Sequence, residues 1–79
     1  MTPRPPREEW MAAAGMRMRI IRLRANLSQR ALAKKAGIDV STLCALERGV
    51  RWPNTDTMIK LSRALNVAGL AAKLLRGEP

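Results

Sequence analysis

Seven basic side chains, Arg17, Arg19, Arg22, Arg24, Arg30, Lys34 and Lys35, lie between Trp10 and Ile38 with no acid among them. Guanidinium and ammonium groups at that density bind phosphate, through Coulomb attraction and by releasing counterions condensed on a polyanion. From Asp39 onward the chain is better balanced, with six basic residues against the four acids Asp39, Glu47, Asp56 and Glu78. In all, 15 Lys and Arg stand against 6 Asp and Glu, a formal charge of +9 on 79 residues. On charge alone, the alternative is a solvated arginine-rich face. Arg outnumbers Lys eleven to four, so a compositional bias toward Arg accounts for some of these side chains without any contact.

Other chemistry has few atoms to work with. Histidine is absent and Cys44 is the single cysteine, which excludes an internal disulfide and a His/Cys metal cluster. Six scattered carboxylates without a histidine make a poor general acid–base set, so neither enzyme activity nor a cofactor or metal is expected. Cys44 invites a redox reading, since oxidation of a thiol near a nucleic acid would gate binding. No second cysteine exists to resolve a sulfenic acid, and a small residue filling its place is the simpler reading. The longest uncharged run, Ala64 to Ala72, has nine residues, against roughly 20 needed to span a bilayer. Arg17, Arg19 and Arg22 interrupt the apolar stretch that a signal peptide would need. The expectation is one small, basic, cytoplasmic domain with a polyanionic partner.

Residues 1–10 read as a basic, Pro-rich arm and residues 11–77 as the domain. Pro3, Pro5 and Pro6 keep the first stretch extended, with Pro6 suited to a first helical position and Glu8 and Glu9 to the positive end of a helix. Arg4 and Arg7 then form either a minor-groove arm or a solvated terminus. From Trp10 to Asn26, Met11, Ala14, Met18, Ile21 and Ala25 recur at three- and four-residue steps, the stripe of an amphipathic helix. Gly15 reads as a weak point in it.

Ser28 caps a second helix, whose face is Leu32, Ala33 and Ala36 and whose stop is Gly37. Asp39 caps a third, from Val40 to Arg48, with Leu43 and Leu46 inward and Gly49 after it. After Pro53, Asn54 or Thr55 caps a fourth helix that carries Met58, Leu61 and Leu65 and runs to Asn66. A fifth, from Val67 to Arg76, carries Leu70, Leu74 and Leu75 and ends at Gly77. No segment alternates as a strand does. The fold class is all-α, a five-helix bundle.

The second and third helices, joined across a tight Gly-centred turn, have the form of a helix-turn-helix unit. The residues carry more than the periodicity. Arg22 to Gln29 reads Arg-Leu-Arg-Ala-Asn-Leu-Ser-Gln, and then come Leu32-Ala33, Ala36-Gly37-Ile38, Ser41-Thr42-Leu43 and Leu46-Glu47-Arg48-Gly49. Trp52-Pro53, Leu61, Ala64-Leu65 and Val67 follow. This series, without gaps from Met18 to Val67, resembles the Cro and phage-repressor (XRE-type) family.

The resemblance implies a repressor-like bundle and double-stranded DNA as partner. It places Gln29, with Arg30 beside it, on the DNA backbone, and makes the helix around residues 40–48 the recognition helix. Val40, Ser41 and Ala45 then face base edges, with Thr42 and Cys44 nearby, and Arg48 and Arg51 clamp phosphate. Rotation about the helix agrees, since Leu43 and Leu46 inward leave Ser41, Ala45 and Arg48 outward. Arg22 and Glu47 match a partly buried structural ion pair of the family.

The chain departs from the family on its reading face. Between Val40 and Leu46 there is no Gln, Asn, Arg or Lys, the side chains that grip purines bidentately. Ser41 and Thr42 discriminate weakly, and Val40 and Ala45 can touch thymine methyls. Affinity is therefore expected from Arg48 and helix ends, and part of the specificity from methyl contacts, DNA shape or the arm.

Trp52 reads either as a cover over the third and fourth helices or as a stacking platform. Trp10 folds back on the core or meets a second subunit. Leu70, Leu74 and Leu75 complete the core, form a homodimer interface, or both. The expected function is a sequence-specific transcriptional regulator, a homodimeric repressor at the bacterial nucleoid or encoded by a phage. The alternative is an antitoxin-like or accessory module whose main partner is a protein. A cationic membrane-surface peptide is set aside, because Pro53 and the Gly-punctuated short helices build a bundle.

Overall fold

Short side chains that bond nearby backbone N–H groups start two of the helices. The computed structural model describes residues 7–76, in five helices and, among those residues, no strand. They are α1 (Arg7–Arg24), α2 (Gln29–Ala36), α3 (Val40–Glu47), α4 (Thr55–Leu65) and α5 (Leu70–Arg76). Ser28 Oγ accepts the Ala31 N–H at 3.0 Å and Asn54 Oδ1 accepts that of Thr57 at 2.8 Å, each satisfying a donor the helix itself leaves open. Gly37, at φ 74°, turns the chain out of α2, and the Ile38 N–H returns to the Ala33 carbonyl. Asp39 occupies the position before α3 but its side chain makes no capping bond.

Three expectations about helix ends need correction. α1 begins at Arg7, three residues before Trp10, and ends at Arg24, where Asn26 at φ 59° closes the turn. Ala25 is consequently exposed, not core. α5 begins at Leu70, not Val67. Asn66 ends α4 in the left-handed conformation, the Val67 N–H folds back onto the Ser62 carbonyl, and Gly69 at φ 66° delays the next helix. The arm through Pro6 and the expected stop at Gly77 lie outside the described residues.

The core is one cluster built from all five helices. Met18, Leu32, Leu43, Leu46, Leu61, Leu70 and Leu74 are fully buried, with Met11, Ala14, Ala33, Met58 and Ala64 beside them. Ile21, Ala36 and Leu65 pack half-buried against it. Removing one such leucine side chain costs about 2–5 kcal/mol. Leu75 does not join them and is half exposed, so only part of the expected α5 stripe faces inward.

Gly15 is a site of contact, where the sequence suggested weakness. It is buried, and a Cβ there would collide with the Leu46 carbonyl oxygen and stand 2.7 Å from that of Glu47. Glycine lets α1 lie directly on the end of α3. Trp10 folds back onto this chain, its ring meeting that of Trp52 edge to face at 5.4 Å between centroids.

Candidate nucleic-acid interface

A buried polar network ties α1, α2 and α3 together behind the outward side of α3. Arg22 Nε donates to Glu47 Oε2 at 2.6 Å and Nη2 donates to Oε1 at 3.0 Å, the paired geometry a guanidinium offers a carboxylate. Its Nη1 donates to the Leu27 carbonyl at 2.7 Å. The Arg22 residue is only 7% exposed. Hydrogen bonding to Glu47 raises the Arg22 pKa further, outweighing the opposing effect of burial, so this cation is always charged. The structural ion pair expected between Arg22 and Glu47 is present.

Gln29 and Cys44 extend that network. Gln29 Nε2 donates to Glu47 Oε1 at 3.1 Å, and the Cys44 thiol donates to Gln29 Oε1 at 3.0 Å. The Gln29 amide is thus held at both ends, with one N–H left over. Cys44 is half-buried and its thiol is turned toward α2. Cys44 remains next to Ala45 on α3, with its thiol held by the Gln29 side-chain carbonyl.

In front of the network opens a cleft of about 600 Å³ lined by Arg19, Arg22, Ser28, Gln29, Arg30, Glu47 and Arg48. Arg22 and Glu47 neutralise one another, which leaves Arg19, Arg30 and Arg48, all exposed, as its cations. The start of α2 opens into it with no acid in the first turn, and backbone N–H groups there favour an anion. Arg19 was not singled out by sequence reasoning. It belonged to the basic run, but only the packing of α1 on α3 puts it beside Gln29 and Arg30. Arg17, from the same run, is drawn the other way: its Nη1 donates to the Leu74 carbonyl at 2.8 Å and to that of Leu75 at 3.4 Å, capping the end of α5.

The outward side of α3 carries Val40 and Ser41, both exposed, and Ala45, half-buried. Thr42 lies on the flank opposite Cys44 and lines a second hollow of about 300 Å³ with Arg51, Trp52, Pro53, Asn54 and Thr57. Trp52, in the α3–α4 loop, is half-buried and packs against the core, and its ring meets that of Trp10. Arg48 and Arg51 therefore stand on opposite sides of a ridge of small side chains. No group of three metal-ligating side chains occurs among the described residues, and none of their helices is long and apolar enough to cross a membrane.

A ridge between two cationic hollows has the shape of a helix that enters a major groove while its flanks hold the strands. The helix-turn-helix family matches residues 18–69. The chain belongs to that family. The likeness to Cro and phage repressors carried by Leu27-Ser28-Gln29 and Leu46-Glu47-Arg48-Gly49 is borne out. The HTH-type transcriptional regulator ImmR of Bacillus subtilis (strain 168) is 39% identical over 54 residues, which cover 68% of this chain and 42% of ImmR. The chain thus spans less than half the length of that relative. No solved structure matches it. Within the helix-turn-helix frame, α2 and α3 are the unit itself, and Gly37 is the residue of its turn.

Proposed function

We propose that the chain is a sequence-specific DNA-binding transcriptional regulator that inserts α3 into the major groove. The observation that carries this reading is the ridge of exposed Val40 and Ser41 and half-buried Ala45 between Arg48 on one side and Arg51 on the other. Gln29 and Arg30, with Arg19, hold one strand's phosphates at the start of α2. Arg51 and Thr42 hold the other. Methyl-bearing side chains on the ridge read thymine, and weak hydrogen bonding at Ser41 leaves much of the discrimination to DNA shape.

Occupying promoter DNA makes the chain a repressor, working as a homodimer in the bacterial cytoplasm. Selecting bound duplexes from a random pool tests the reading. A recurrent site with a salt-dependent affinity supports it, and two-fold symmetry in the site supports the dimer. No preference over random duplex, together with tight binding of a co-purifying protein, would replace it with the antitoxin-like alternative.

A further inference from the structure

α1 is apolar on two opposite sides. Met11, Ala14 and Met18 lie in the core. At about 100° per residue, Met16, Ile20 and Leu23 share the opposite side, with Ala12 among them. These three are 58%, 42% and 51% exposed. A contiguous exposed apolar stripe marks an interaction surface. Its flanks are already occupied. Gly15, Arg19 and Arg22 on one flank meet the end of α3 and the cationic cleft, while Arg17 on the other holds the end of α5. The remaining α5 candidate is thinner, because Leu70 and Leu74 are buried within the chain and Leu75 alone is exposed.

The stripe is graded along its length. Exposed Glu9 and the small Ala12 and Ala13 lie toward its start, and Ile20, Leu23 and exposed Arg24 toward its end. Such a face is complementary to itself turned end for end, small against large and acid against base. We propose that a second copy of this chain covers it, the two α1 helices packing antiparallel about a two-fold axis. Met16 then meets the partner's Ile20, Ala13 receives the partner's Leu23, and Glu9 comes within about one turn of the partner's Arg24.

The symmetry has a consequence for the site. A two-fold axis lying between antiparallel helices and perpendicular to them reverses their direction but preserves the sense of their flanks. Both cationic clefts then open on the same side, as one duplex requires of a dimer; a parallel pair would turn them apart. This last step rests on the DNA-binding reading, whereas the pairing itself does not. The electrostatic cost sits on the cleft side, where the two Arg19 side chains approach, and in the +9 on each copy. Pairing therefore strengthens as salt screens those charges.

Sedimentation equilibrium of the full chain at high salt tests the proposal. The wild type should approach twice 8.8 kDa as concentration rises. Ile20→Glu and Leu23→Glu, at exposed positions, should keep the wild-type melting temperature at concentrations where both are monomeric and raise the dimer dissociation constant by on the order of tenfold or more. Compared at about 0.15 M salt, where this attraction is less screened, Glu9→Arg and Arg24→Glu should each weaken pairing, and the double variant should restore it. A wild type that stays at single mass, pairing that survives Ile20→Glu, or a double variant that does not recover would each overturn the proposal. An acidic amphipathic segment of another protein is the occupant that the first of these would favour. Binding of each form to a fluorescent duplex separates the two readings. A single-mass wild type that binds duplex leaves the regulator standing without the pair, and a dimer blind to duplex does the reverse.

Discussion

Replacing Arg22 by Ala should unfold the domain well before it changes how the domain meets DNA. The side chain is almost fully buried and makes three hydrogen bonds, two to Glu47 and one to the Leu27 carbonyl. Removing it leaves the Glu47 carboxylate, its side chain 4% exposed, held by the Gln29 amide. Breaking a buried pair from one side costs about 3–5 kcal/mol, because the other charge stays behind. At about 0.05–0.15 kcal/mol per residue, a chain of this length has roughly 4–12 kcal/mol in all. The variant should therefore lose roughly 12–40 °C of melting temperature, using about 4–8 °C per kcal/mol. Thermal circular dichroism on the wild type, Arg22→Ala, Glu47→Leu and the double variant Arg22→Met/Glu47→Leu provides the assay. The double variant should recover much of the loss, since a pair replaced by apolar groups strands no charge. An Arg22→Ala protein that melts with the wild type and lacks only DNA affinity would refute the assignment and make Arg22 a phosphate contact.

Arg48→Ala should weaken binding to every duplex and lower the slope of log affinity against log salt by about 1; an unchanged slope would remove Arg48 from the phosphate. Ala45→Glu, on the half-buried ridge, should abolish duplex binding with little change in melting temperature, and persistent binding would show that another surface is used. Gly15→Ala should destabilise the fold by about 1–3 kcal/mol, because the new methyl meets the backbone carbonyls of Leu46 and Glu47. A neutral result in a denaturant titration would mean that α1 can move off α3 at no cost.

Much of this protein is decided by neighbours in the chain. Ser28, Gly37, Asn54 and Asn66 act on backbone groups within a few residues of themselves, so their types alone place the ends of α2 and α4. The inward leucines of α3 fall out of a 3.6-residue repeat, and with them the outward position of Ser41 and Ala45. The family is legible for the same reason, since its motif is a run of caps, turns and inward residues at set spacing.

What the sequence leaves undecided is everything that depends on which helix lies beside which. Arg17, Arg19 and Arg22 are three similar cations within six positions, yet one caps α5, one lines the cleft and one is buried on Glu47. The helical repeat separates them by rotation, but only the packing of α1 between α3 and α5 gives each direction a meaning. Gly15, costly in a lone helix, is required where a carbonyl of another helix comes close. The Cys44 thiol points to α2 because Gln29 presents an oxygen there. Leu75 stays in solvent because packing turns Leu70 and Leu74 inward, and Leu75 lies about 100° around α5 from Leu74. Local sequence sets the backbone's own hydrogen bonds. Side chains with long reach take their roles from partners that only the assembled bundle brings near.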